Sequence, residues 1–350
     1  MVIFAKSLTS TNLDLKDKKS IHLWAHTYVF SVAKSLELLA QQRSDISMPI
    51  FERVLNAFSA ERLGSHHFAS LTGYAHGDQG REVIDRIFAR VLGAEKAAVR
   101  LQIVSGTHAI TSALFGILRP RDRLLSITGR PYDTLEEVIG IRGSGDGSLK
   151  DFGVLYDELD VIKDGKIDYN KLDFALNMPT KMIFIQRSCG YSFGTSLSLK
   201  LIKEICFYIH KKNPDIICFV DNCYGEFVEE EEPCAVGADL IAGSLIKNLG
   251  GTIVPTGGYI AGSKKLVEKA CCRLTAPGIG SEGGSGFDLN RLILQGLFLA
   301  PQMVTEALVS ADLVREVFHG LGFKVSPAIN ESRCDVIQAV QLNDPDALKV

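Results

Sequence analysis

The sequence predicts an α/β protein built on a mostly parallel sheet, and three observations carry that reading. From Gly93 onward short apolar runs alternate with amphipathic stretches, AAVRLQIV, THAITSALFGIL, DRLLSI and DTLEEVIG in turn, which is the β-α-β-α signature of a parallel sheet. The later runs KMIFIQ and DIICFVDN are apolar without alternation, as strands buried on both faces are. The chain has 350 residues, which at roughly 150 per domain predicts about two domains, or one large α/β unit with an appendage.

The elements follow in order. The region to about Ser59 has helical periodicity, clearest in SVAKSLELLAQQ, where Val32, Leu36, Leu39 and Ala40 recur at helix spacing. The run RLQIV should end as a strand just before the helix that begins near Thr107. After the glycine-rich loop RGSGDGS come KMIFIQ as a strand, SLKLIKEICFYIHKK as a helix and DIICFVDN as a second strand. DLIAGSLIKN and TGGYIAGS supply two more strands, and VSADLVREVFHGLG a helix before a new α/β pattern opens near the end. The expected organisation is a helical N-terminal segment over 1–60, a large α/β domain over 61–305, and the start of an incomplete C-terminal domain over 306–350. The acidic run Glu229 to Glu232 reads as a solvated loop or helix end.

Composition excludes several classes. Lys and Arg number 38 against 41 Asp and Glu, a net charge of −3, so no overall positive field exists to hold a nucleic acid or an anionic membrane. Hydrophobic residues make up 46% and charged residues 23%, and the mean hydropathy is +0.13, all within the range of folded globular chains. No uninterrupted apolar stretch approaches the length of a membrane span, and the first residues lack the pattern of a signal or transit peptide. A cytoplasmic location is expected. The eight cysteines show no C-x-x-C and no framework spacing, and read as reduced core thiols.

Some motifs are discounted. GIGSEG (Gly278, Gly280, Gly283) has the letters of a dinucleotide fingerprint, but TAP precedes it where a strand is needed. DVIKDGKIDYNK resembles a calcium loop around Asp160 and Asp164, yet Ile162 and Lys171 stand where ligands belong, so a turn at Asp164-Gly165 is expected. His66, His67 and His76 match no zinc spacing, and Ser105 lacks the G-x-S-x-G elbow of a hydrolase. No metal site is expected.

Three features remain, each at a strand end or helix start, where open α/β sheets place ligands. Ser105, Gly106 and Thr107 form a strand-glycine-helix turn whose free N–H groups and positive helix end suit a phosphate, though Ser105 or Thr107 could serve simply as an N-cap. Asp221 ends the buried run IICFV and needs a cationic partner, a protonated heterocyclic nitrogen or an ordinary Arg or Lys. Lys247 is a lone cation in an apolar segment, with Gly250 and Gly251 allowing close backbone approach; a desolvated lysine gives up its charge and becomes an imine-forming amine. Phosphate, ring nitrogen and aldehyde are together the needs of pyridoxal 5′-phosphate, and Tyr132 is placed to stack on its ring.

These residues resemble a family. The strings TGYAHGDQGRE, RLQIVSGTHAI, LLSITGRPYDTLEEVIG, FIQRSCGYS, CFVDNCYGEFVEEEEP, GADLIAGSLIKN, PTGGYIAG and RLTAPGIGSEGG are similar to those of fold-type I pyridoxal-phosphate enzymes, in the methionine gamma-lyase-like, cystathionine beta-lyase-like branch termed aluminium-resistance proteins. The likeness runs from about Ser65 to Gln341. It implies a seven-stranded, mostly parallel sheet between helices and a small C-terminal α/β domain. It also implies a carbon–sulfur lyase that eliminates a thiol from a sulfur-containing amino acid. Asp239, Leu240, Ser244 and Lys247 match the branch's lysine motif, which gives Lys247 the aldehyde-bonding role. The resemblance gives the phosphate to Gly106, Thr107 and Ser244, the ring nitrogen to Asp221 and ring stacking to Tyr132. It has Tyr74 crossing to the phosphate of a neighbouring subunit in a homodimer or homotetramer. Ile246, Leu249 and Thr252 depart from the branch's lysine loop, and Gly194 stands where an arginine is expected. The alternative is a truncated or degenerate relative that binds the cofactor or dimerises without turnover.

Overall fold

The computed structural model describes residues 18–74, 77–163, 165–190 and 192–346. Two helices lead in, α1 (Lys18–Ser35) and α2 (Glu37–Ala60), parted at Leu36, where ψ is 3°. Helix α3 (Gln79–Val91) is capped by Asp78, whose carboxylate accepts from Arg81 N at 3.0 Å. There follow β1 (Lys96–Arg100), α4 (Gly106–Ile117), β2 (Arg123–Ser126), α5 (Asp133–Ile139) and β3 (Leu155–Glu158). A small hairpin of β4 (Ile162–Lys163) and β5 (Lys166–Ile167) leads to α6 (Tyr169–Leu176), β6 (Met182–Gln186), α7 (Leu199–Lys212) and β7 (Ile217–Asp221). The chain then runs through β8 (Leu240–Ser244), β9 (Gly258–Gly262), α8 (Lys264–Leu274), the long α9 (Asn290–Gly320), β10 (Lys324–Ser326) and β11 (Ala339–Gln341).

Seven strands form one sheet in the order β1-β9-β8-β7-β6-β2-β3. The run from β8 to β3 is parallel, and β9 is antiparallel to both its neighbours, so the mostly parallel sheet expected from sequence is present. Alternate residues of the central strands enter opposite cores. Ile183, Ile185, Cys218 and Val220 pack on one face; Met182, Phe184, Ile217 and Phe219 pack on the other. Burial on both faces is why these strands read as unbroken apolar runs. The register sets Gln186 beside Asp221 and Asp221 beside Ala242, which brings the carboxyl ends of three strands into line.

Three expectations are corrected. Strand β1 stops at Arg100 rather than running to Val104. Its partner β9 begins at Gly258, opposite Arg100, and Gly257 turns away at φ +115°, so Leu101 to Val104 have no strand to pair with. The last predicted helix starts far earlier, at Asn290, and continues through Pro301. The acidic run is solvated only in part: Glu230 and Glu231 are exposed in a loop, but their flanking neighbours are not free of the fold. Glu232 is 1% exposed, and Glu229 accepts from Arg187 Nη2 at 2.8 Å and from the first N–H of α7.

By length and composition α9 could cross a bilayer, but half of its most apolar window is buried within this fold. Ile293, Leu297, Ala300 and Val304 share a core with Ile50, Val54 and Ala57 of α2, helix stripes at three- and four-residue spacing. The discounted motifs behave as turns: GIGSEG includes a single 3-10 turn, Asp160 accepts from Ile162 N, and Asp168 caps α6. Asp164 and His76 lie outside the described residues. His67 accepts from Gly64 N at 3.1 Å through Nδ1, a local turn contact.

Candidate active site

A cavity of about 460 Å³ opens at the carboxyl ends of β6, β7 and β8, where parallel α/β sheets take ligands. Ser105, Gly106, Thr107, Tyr132, Asp221, Ser244 and Lys247 all line it. Of the candidate catalytic and cofactor-binding residues, Tyr74 lies elsewhere, 96% exposed on the segment before α3.

Each side chain has a local reason for its position. Ser105 is the N-cap of α4, its Oγ accepting from His108 N at 3.1 Å, so the first N–H groups of the helix are left facing the cavity. Gly106 is required by close approach: a Cβ there would stand 2.8 Å from Cys223 Sγ and 3.9 Å from Lys247 Nζ. Tyr132 holds the N-cap position of α5, beyond the end of β2 at Ser126. Its OH and Thr107 Oγ1 are 3.0 Å apart, and its N–H donates to Gln186 Oε1 at 3.3 Å. Burial and then the nearby Asp221 push the Tyr132 phenol up from its ordinary value, so it remains a donor. Asp221 closes β7, 5% exposed, and accepts from Cys223 N at 3.1 Å. Burial raises its carboxyl, against the pull of that N–H and of Lys247.

Lys247 follows β8 and the turn at Leu245. Gly250 and Gly251 do allow close approach, though to other partners than the cavity: added Cβ atoms would lie 1.7 Å from Leu245 O and 2.3 Å from Gly296 O. They seat the lysine loop against α9. Leu249 is fully buried there, and exposed Thr252 holds φ +67°, a left-handed geometry unfavourable to a β-branched residue. Thr252→Gly should therefore stabilise the fold by about 1 kcal/mol, read as a shift of the urea midpoint at unchanged slope.

The charge on Lys247 corrects the sequence expectation. Burial alone would lower its pKa, but Cys223, Tyr224, Asp221 and Glu226 crowd around it and hold the ammonium above the ordinary lysine value. Its Nζ sits 3.9 Å from the centroid of the Tyr224 ring, a cation–π contact that fixes the amine on the cavity side.

Not anticipated were Cys223, Tyr224, Gln186 and Glu226. The first two directly follow Asp221-Asn222, and Gln186 is the last residue of β6, so the strand-end rule could have found all three. Tyr224 takes φ +70°, which no sequence signal marks. Glu226 is fully buried and accepts from Tyr259 OH at 2.8 Å, while its Oε2 has no partner among the described residues. Burial pushes its carboxyl up to about 8. Between the ordinary value of 4.5 and about 8 the folded state keeps a proton that the unfolded chain has lost, so stability falls as pH rises through that window. Glu226→Gln should abolish this slope, its urea midpoint exceeding the wild type's at about pH 9 and matching it at about pH 4.

Behind the site, Arg187 is fully buried, its Nη1 donating to Asn222 Oδ1 at 2.8 Å and its Nη2 to Glu229. Asn222 in turn donates to Glu232 at 2.9 Å. The segment after α9 braces the wall from outside the cavity lining. Ser188 Oγ donates to Asp335 at 2.5 Å, Ser196 Oγ donates to the same carboxylate, Ser326 Oγ donates to Gly194 O at 2.9 Å, and Val336 N donates to Tyr224 O at 3.2 Å.

The chain is similar to several known proteins. Residues 27–349 match the family model described as methionine gamma-lyase. The chain is 48% identical over 297 residues to an uncharacterised protein, YnbB, of Bacillus subtilis, covering 85% of this chain and 70% of that one. Its fold matches the crystal structure of a carbon-sulfur lyase involved in aluminum resistance from Clostridium novyi with a TM-score of 0.89 at 43% identity, over 98% of this chain and 80% of that one. A pyridoxal-5′-phosphate-dependent protein of Escherichia coli, YhfS, shares the fold at a TM-score of 0.61 and 16% identity, over 88% of this chain and 77% of that one.

Proposed function

The chain belongs to the methionine gamma-lyase family, and on that premise we propose that it is a pyridoxal 5′-phosphate-dependent carbon–sulfur lyase. It acts by β- or γ-elimination on a sulfur-containing amino acid of the cystathionine, cysteine or methionine class, releasing a thiol, ammonia and a 2-oxo acid. The observation that carries this reading is the convergence of Lys247, Asp221 and the first turn of α4 on one cavity.

The residues present fit the cofactor. The cradle at Gly106 is one that a Cβ would fill, and Asp221 is a buried carboxylate at the cavity wall. Ser105, Gly106, Thr107 and Ser244 would hold the phosphate, Tyr132 the ring face, Asp221 the ring nitrogen and Lys247 the aldehyde carbon. Bound there, the cofactor supplies an electron sink for the negative charge left at the substrate's Cα. Lys247 Nζ, in its neutral form, would take the Cα proton beside the Tyr224 ring, and as the ammonium that its acidic neighbours favour it is the group that can return it. Asp221 keeps the ring nitrogen protonated through its fixed negative charge, and the Cys223 N–H keeps that carboxylate aimed. Exposed Tyr74 would complete the phosphate site of a neighbouring subunit in a homodimer or homotetramer.

The test joins chemistry to product. Borohydride should fix a phosphopyridoxyl group on Lys247, found by peptide mass analysis, and the untreated protein should form 2-oxo acid from cystathionine, cysteine or methionine. A reduced adduct on another lysine, or on none, would overturn the assignment.

A further inference from the structure

A second cluster lies at the opposite ends of the same strands. Cys206 and His210 stand at i and i+4 of α7 and so share one face of the helix. Cys218 is the second residue of β7, and Asp239 immediately precedes β8. The ligand atoms of His210, Cys218 and Asp239 all lie within 4.8 Å of one another. His210 Nε2 is 2.9 Å from Asp239 Oδ2, Cys218 N donates to the same oxygen at 2.7 Å, and the Cys206 thiol lies beside that of Cys218.

We propose that Cys206, His210, Cys218 and Asp239 form a binding site for a divalent transition ion of the zinc class. Two sulfurs, one imidazole and one carboxylate are a four-donor set that zinc takes tetrahedrally. An ordinary ion pair accounts for His210 and Asp239, and the two thiols stand beside it in the core. Both sulfurs are buried in full, while the His210 and Asp239 side chains are 28% and 33% exposed, which gives the ion a path from solvent. On binding, two S–H bonds break, two metal–sulfur bonds form, and both protons leave to solvent. The ion would clip α7 to β7 and β8, and β7 carries Asp221 at its other end. The site stands apart from the cofactor cavity and does not depend on the proposed reaction. It revises the sequence expectation of no metal.

The test uses the full-length protein, cofactor retained, after removal of adventitious metal by chelator and dialysis. One equivalent of Co²⁺ should produce thiolate-to-cobalt charge-transfer absorption in the difference spectrum. Zn²⁺ should displace it with no further proton release, whereas Zn²⁺ added directly to the metal-free protein should release two protons per ion. His210→Ala and Cys218→Ser should each weaken zinc binding by at least about tenfold, whereas Cys272→Ser should leave it unchanged. His210 lies near the partly exposed end of its helix, so that variant folds even if the core thiol variant does not. A cobalt spectrum without thiolate bands, or unchanged zinc affinity in His210→Ala, would reduce the cluster to an ion pair and overturn the proposal.

Discussion

Lys247→Ala should lower 2-oxo acid formation by about 10³-fold or more, because it removes both the cofactor's covalent partner and the base at Cα. The fold should survive, since the side chain is only half-buried and its amine stacks on Tyr224 rather than filling a core. Loss of a positive charge also relieves nothing else structural: Asp221 retains the Cys223 N–H and Glu226 retains the Tyr259 hydroxyl. Single-turnover and steady-state assays of product, with circular dichroism as the control, give the result. Activity within about tenfold of wild type would place the proton transfer on another group.

Asp221→Asn should cost about 10²- to 10³-fold in kcat, the scale on which one fixed electrostatic contact to a developing charge is worth in a closed site. Asparagine preserves shape and still accepts from the Cys223 N–H, so the loss isolates charge from geometry. The same variant should lose cofactor more readily on dialysis, because the buried carboxylate is what the ring nitrogen pairs with. A variant that keeps its cofactor and its kcat would show that the ring nitrogen is not protonated during turnover.

Much of the site was legible because it obeys positional rules. A glycine turn between strand and helix, an acid closing an apolar strand and a lone lysine in an apolar segment each carry a local signal, and all three meet at one cavity. What stayed hidden depends on pairing across long stretches of sequence. Glu229 and Glu232 look like part of a solvated acidic run until Arg187, far earlier in the chain, is found buried between them. The charge of Lys247 follows the same logic: alone among apolar neighbours in sequence, it sits among acidic groups in space. Tyr224 could not be read because its left-handed backbone belongs to a non-glycine residue. The early end of β1 was equally invisible, since it is set by where the antiparallel partner β9 begins.

The bond from Val336 N to Tyr224 O gives the lysine a mechanical connection to the last part of the chain. Tyr224 supports the amine with its ring while its carbonyl is tethered to the segment that follows α9. Asp335, the neighbouring residue, is bonded to Ser188, which lines the same cavity. The segment is thus tied at once to the residue whose ring meets the amine and to a second residue of the cavity lining, so a substitution that loosens it would loosen both.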